Sequence, residues 1–103
     1  MGHLEKIFGN SAQTIVLENL LKKRGGFTYL SGIAEETGLS HSSVARVIEP
    51  LVKNDIVIEK RLGRQIRTFA INEKNAMAKL IIKFYDELAS SSGRNKSSPG
   101  FSP

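Results

Sequence analysis

The spacing of apolar residues changes character twice along this chain, and that limits the folds open to it. Up to Leu51 the apolar positions recur every three or four residues, the period of helices that pack by one face. From Ile56 to Ile71 they fall in two β-branched runs around Leu62-Gly63-Arg64-Gln65, which reads as one hairpin. From Met77 the helical period returns. The order is therefore helix, helix, helix, hairpin, helix. That is a mainly α chain with a small β-hairpin, in the α+β class. With 103 residues there is one core and no room for a second.

Leu4, Ile7 and Phe8 share one side of a short turn that Gly9 breaks. Asn10 is placed to cap the next helix, with Gln13 three residues later as its capping-box partner. Val16, Leu17, Leu20 and Leu21 form that helix's inner face, and Lys22-Lys23-Arg24 with Gly25-Gly26 close it. Thr28 is positioned to cap a second helix, Tyr29 to Thr37, which Gly38 ends. Ser40 can cap a third, with Val44, Val47, Ile48 and Leu51 in one stripe. Pro50 lies inside it and costs ~3 kcal/mol or more if the helix stays straight, so a kink or early loosening is expected. Asn54 is the expected left-handed stop. Asn72 is placed to cap the last helix, which should run to about Ala89. Of the fourteen residues from Ser90 to Pro103, ten are Ser, Gly or Pro. Such a stretch buries too little to offset its ordering entropy. The expected organisation is a folded domain over 1–89 and a disordered tail over 90–103.

Composition removes several classes of function. There is no cysteine, which excludes a disulfide scaffold, a thiolate metal site and a cysteine redox switch. No apolar run approaches ~18 residues, and the stretch around Glu5 is no secretory signal. A soluble, cytoplasmic chain with no membrane partner is expected. His3 and His41 are the only histidines and lie on different elements, so no metal site is expected. Glu35-Glu36 and Asp86-Glu87 read as solvated faces rather than catalytic dyads, and no nucleophile–base pair stands out. No catalytic residue, no cofactor and no enzyme activity are expected. Fifteen Lys and Arg against ten Asp and Glu give a net charge of +5 and a pI near 9.8. That excess leans toward a polyanionic partner.

Ala34, Gly38, Val44 and Val47 fall at the spacing of a helix-turn-helix. A small residue lets two helices approach, a glycine lets the chain reverse quickly, and a later apolar pair locks the second helix on the first. Two ordinary packed helices would look the same. The hairpin that follows separates the readings. With it, residues 4–72 resemble the winged helix-turn-helix family. The opening Leu4-Glu5-Lys6-Ile7-Phe8-Gly9-Asn10-Ser11-Ala12 is similar to that of small archaeal and bacterial regulators with this core. Val52-Lys53-Asn54-Asp55-Ile56-Val57 resembles the exit from the recognition helix, where glycine is more usual than Asn54 or Asp55. The resemblance, shared by MarR-, ArsR- and PadR-like branches, implies a three-helix core plus wing plus C-terminal helix. It also implies a homodimeric transcription regulator that binds double-stranded DNA.

The residues agree with that implication. Over the expected recognition helix, 41–54, the apolar stripe leaves His41, Ser42, Ala45, Arg46 and Glu49 outward. Short side chains near a helix N-terminus let its backbone approach base edges. Ser40, His41, Ser42 and Ser43 are candidate contacts to phosphates or bases, Ala45 lines the approach, and Arg46 is the candidate for a bidentate contact to guanine. The alternative is that Arg46 pairs with Glu49 on a solvated face. In the wing, Lys60, Arg61, Arg64 and Arg67 fall within eight residues with no acid among them. The resemblance places such a wing along the phosphate backbone or in the minor groove. The alternative is a charged edge that blunts strand aggregation. On the last helix Met77, Leu80, Ile81, Phe84, Tyr85 and Leu88 form a broad apolar face. It either supplies a dimer interface or completes the monomer's core. A two-fold dimer would set two recognition helices about 34 Å apart, one per successive major groove.

Two other functions stay open on the sequence. Winged helices can also serve as protein-interaction modules in larger assemblies, and fold alone does not separate the two uses. RNA binding usually relies on exposed stacking aromatics. Here Phe8, Tyr29, Phe69, Phe84 and Tyr85 are expected to be needed for packing.

Overall fold

The computed structural model describes residues 2–94. In chain order they form α1 (His3–Phe8), α2 (Ala12–Lys22), β1 (Thr28–Tyr29), α3 (Leu30–Thr37), α4 (His41–Lys53), β2 (Val57–Leu62), β3 (Ile66–Ile71) and α5 (Ala76–Arg94). The three strands make an antiparallel sheet in the order β1-β3-β2. Val16, Leu20, Ile33, Val44, Ile48 and Phe69 are fully buried, so α2, α3, α4 and the sheet share one core. Among the described residues, no helix is long and apolar enough to cross a membrane.

The expected α+β order is present, with one strand the sequence reading lacked. Thr28 does not cap α3. It pairs with Phe69, and Tyr29 pairs with Thr68. Tyr29 has an extended backbone (φ −70°, ψ 146°) and is itself the residue before the helix. Two caps also move. Ser11, not Asn10, accepts the Thr14 amide through its hydroxyl at 3.3 Å. Asn75, not Asn72, accepts the Ala78 amide at 2.9 Å. Asn72 instead ties the end of β3 to the α4–β2 turn, donating from its side chain to the Asp55 carbonyl at 2.9 Å.

Pro50 does not end α4 early, because the backbone stays helical to Lys53. The proline is exposed, so water can reach the Arg46 carbonyl that loses its helical donor. The left-handed residue comes one later than expected. Asn54 has φ −98°, whereas Asp55 has φ 60°. The Ile56 amide donates to the Leu51 carbonyl at 2.9 Å and the Asp55 amide to Val52 at 3.0 Å. That crossed pair is a Schellman stop, which favours glycine at the left-handed position. Asp55→Gly should therefore raise stability by about 0.5–1 kcal/mol. A higher urea midpoint with an unchanged slope would show it; a lower midpoint would mean that the aspartate side chain matters more than its backbone strain.

At the other end, α5 runs to Arg94, five residues past the expected boundary at Ala89. The rest of the expected tail, residues 95–103, lies outside the described residues.

α1 is held from outside itself. The Glu18 carboxylate on α2 accepts the amides of His3 at 2.7 Å and Leu4 at 3.1 Å. Glu18 is 3% exposed, and a side-chain carbon on Gly2 would collide with its carboxylate. Thus Leu4, also 3% exposed, is drawn into the core by an acid that caps its helix from a neighbour.

Candidate nucleic-acid interface

The helix-turn-helix spacing has the geometry it demands. Ala34, Val44 and Val47 are buried between α3 and α4. Gly38 turns the chain with φ 79°, and its amide closes α3 on the Ala34 carbonyl at 2.9 Å. Ser40 then starts α4, its hydroxyl accepting the Ser43 amide at 3.1 Å. The Ser40 and Ser43 hydroxyls also bond each other at 2.9 Å. These two serines are committed to the cap, and Ser43 is half-buried, as is Ala45. His41, Ser42, Arg46 and Glu49 are exposed. Among the described residues Arg46 makes no ion pair, so the expected alternative with Glu49 is not formed. The outer face of α4 thus opens with small side chains and then one unshielded long cation.

The wing is less free than its sequence suggests. The register pairs Arg61 with Arg67 and Glu59 with Phe69, so all four side chains leave one face of the hairpin. Glu59 lies just outside the cationic run and takes two of its members. Its carboxylate accepts Arg67 at 2.9 and 3.3 Å and pairs with Arg61 at 3.2 Å. Those Arg67 hydrogen bonds hold the Glu59 carboxyl below its ordinary value, against partial burial that opposes them. Arg67 also lies over the Phe69 ring, 5.1 Å from its centre. It braces the hairpin as well as belonging to the cationic run. Lys60, on the opposite face, stands 5.6 Å from the Phe27 ring centre. Arg64 is exposed at the hairpin tip and, among the described residues, makes no ion pair.

The hairpin and α4 meet. Tyr29, Ser31, His41, Gln65, Ile66 and Arg67 line one open cleft of about 230 Å³ between the start of α4 and the returning strand of the wing. The exposed start of α4 and the basic hairpin therefore share one side of the molecule.

The α5 face divides. Met77, Leu80 and Phe84 are exposed by 59, 68 and 43%. Ile81 and Leu88 pack against the core, and Tyr85 is buried with its ring 5.8 Å from that of His3. Half of the expected interface thus belongs to the monomer, since α5 also closes over α1 and α2. From α1, Ile7 and Phe8 join the exposed half, with the Phe8 ring 6.4 Å from Phe84. A second apolar surface was not anticipated. Tyr29, Ile58, Leu62 and Ile66 are exposed on the outer face of the sheet, beside Phe27. Of the aromatics expected to pack, only Phe69 and Tyr85 are buried.

The acidic pairs are not merely solvated. Glu36 receives Lys23 at 2.9 Å and Asp86 receives Arg24 at 2.6 Å, the latter joining the turn after α2 to α5. Among the described residues, no cluster of His, Asp and Glu could hold a metal ion.

No family model matches the chain, and no curated protein does. Among solved structures it is similar to the homodimeric winged helix-turn-helix DNA-binding domain of a possible ArsR-family transcriptional regulator from Mycobacterium bovis. The similarity covers 90% of this chain and 81% of that one, with a TM-score of 0.61 and 16% identity. The chain has the winged helix-turn-helix fold.

Proposed function

We propose that this chain is a sequence-specific double-stranded DNA-binding protein that works as a homodimeric transcription regulator. The observation that carries the reading is the shared cleft between the start of α4 and the wing. It joins His41, at the exposed start of α4, to Gln65, Ile66 and Arg67 of the hairpin, while Arg46 further along α4 and Arg64 at the hairpin tip are both exposed. A major groove accepts a helix of that kind, and the adjoining backbone accepts the wing. Exposed Met77, Leu80, Phe84, Ile7 and Phe8 support pairing of two copies through α1 and α5. The neighbour's description as a homodimeric DNA-binding domain supports the same reading.

The roles separate in a binding titration. Arg46→Ala should cost about 1–3 kcal/mol at one base position and relax preference there. Arg64→Met should weaken all duplexes about equally and lower the salt slope by about one. If both variants bind like the parent chain, these roles are wrong. A second reading, a protein-interaction module, is favoured by the outer sheet face of Tyr29, Ile58, Leu62 and Ile66. Ile58→Ser together with Leu62→Ser, neither of which lines the cleft, separates the two: DNA affinity is retained if that face serves another partner.

A further inference from the structure

Two cations stand directly opposite each other across the hairpin, Arg61 on β2 and Arg67 on β3. Like charges in that relation repel. Glu59, two residues before Arg61 on the same face, neutralises them. It does so unequally. Arg67 spends two nitrogens on the carboxylate, covers Phe69, and keeps only 28% of its side chain exposed. Glu49 on α4 adds a second acid facing it. Arg61 has one contact, at 3.2 Å, to the Glu59 oxygen that Arg67 already holds at 2.9 Å, and its side chain is 56% exposed. Losing Arg67 would undo the hairpin's root, whereas Arg61 can leave Glu59 without disturbing a buried contact.

We propose that Glu59 competes with the nucleic-acid backbone for Arg61, holding duplex affinity below what the wing's cations would otherwise reach. The inference rests on the DNA-binding reading above. A backbone contact adds affinity for every sequence alike, so restraining one lowers the non-specific background against which base contacts at α4 must be read. Glu59 sets specificity through Arg61 rather than by touching a base.

The test is fluorescence anisotropy of a labelled mixed-sequence duplex with the full chain at several salt concentrations. Glu59→Gln keeps an oxygen for Arg67 and removes the charge. It should bind about three- to tenfold tighter at low salt, with a log–log salt slope steeper by about 0.9, the increment for one more phosphate contact. In an Arg61→Met background that gain should vanish. Unchanged or weaker binding by Glu59→Gln would overturn the proposal, as would a gain that persists without Arg61. A comparison that leaves residue 59 intact guards against misfolding: Arg61→Met should cost less affinity than Arg64→Met, because Glu59 already half-cancels Arg61. Equal costs would also overturn it. If the parent chain binds no duplex at low salt, the DNA-binding reading itself fails; if it binds and only these differences are missing, the role of Glu59 alone fails.

Discussion

Leu80→Glu should leave the chain folded, make it monomeric, and lower its affinity for duplex DNA by about a hundredfold or more. Leu80 is 68% exposed, so an acid there meets water in the monomer and changes its stability by less than about 0.5 kcal/mol. Against a second copy the same acid would be buried among Met77, Phe84 and Phe8 without a counter-charge, which an interface does not tolerate. The effect on DNA follows from linkage of two binding units. A dimer that holds one half-site presents its second recognition helix at high local concentration to the next, an advantage of about 10²–10⁴. Sedimentation equilibrium and anisotropy on the same preparation check both halves. A dimer that persists would move the interface away from α1 and α5. A monomer with parental affinity would mean that one wing and one helix suffice.

Glu18→Ala should cost about 3 kcal/mol of stability, the scale of two hydrogen bonds to a buried charged acceptor. That corresponds to a melting point lower by roughly 10–20 °C in a domain of this size. α1 has six residues and cannot hold its own helix in water. The carboxylate supplies its first amides with an acceptor and opposes the positive end of its dipole. Tyr85 belongs to the same buried junction: burial first, then the nearby Glu18 charge, push its hydroxyl above the ordinary value. Glu18→Gln keeps an acceptor and should lose clearly less. The consequence reaches the proposed dimer patch, because Phe8 sits on α1 against Phe84. Glu18→Ala should therefore also weaken self-association, and exchange of the His3 and Leu4 amides should quicken before global unfolding. Equal melting points for the Ala and Gln variants would contradict the capping role.

The helix-turn-helix was legible because its constraints are local. Ala34, Gly38, Val44 and Val47 each answer a steric need within fourteen residues, and each stands where that need placed it. The caps show the limit of such reasoning. Asn10 and Ser11 are both good capping residues, as are Asn72 and Asn75, and only the packing of the following helix chooses between them. β1 is two residues long and exists because β3 lies beside it, a contact some forty residues away that no local pattern carries. Glu59 was missed because the cationic run was read as a segment, whereas the strand alternation puts residues 59, 61 and 67 on one face. On α5 the apolar stripe is broad enough for two tasks. The side of Tyr85 belongs to the monomer and the side of Leu80 faces outward, a division set by where α1 and α2 lie rather than by the helix's own period.

The measurement that bears most directly on DNA binding by this chain is anisotropy of a labelled mixed-sequence duplex, titrated with the parent chain at about 50 and 200 mM salt. Binding in the range of ~10⁻⁴ to 10⁻⁶ M that falls steeply with salt is expected, the signature of cations displacing counterions from phosphates. No binding at the lower salt would contradict it, leaving the basic wing without an anion and the apolar outer face of the sheet as the surface to explain.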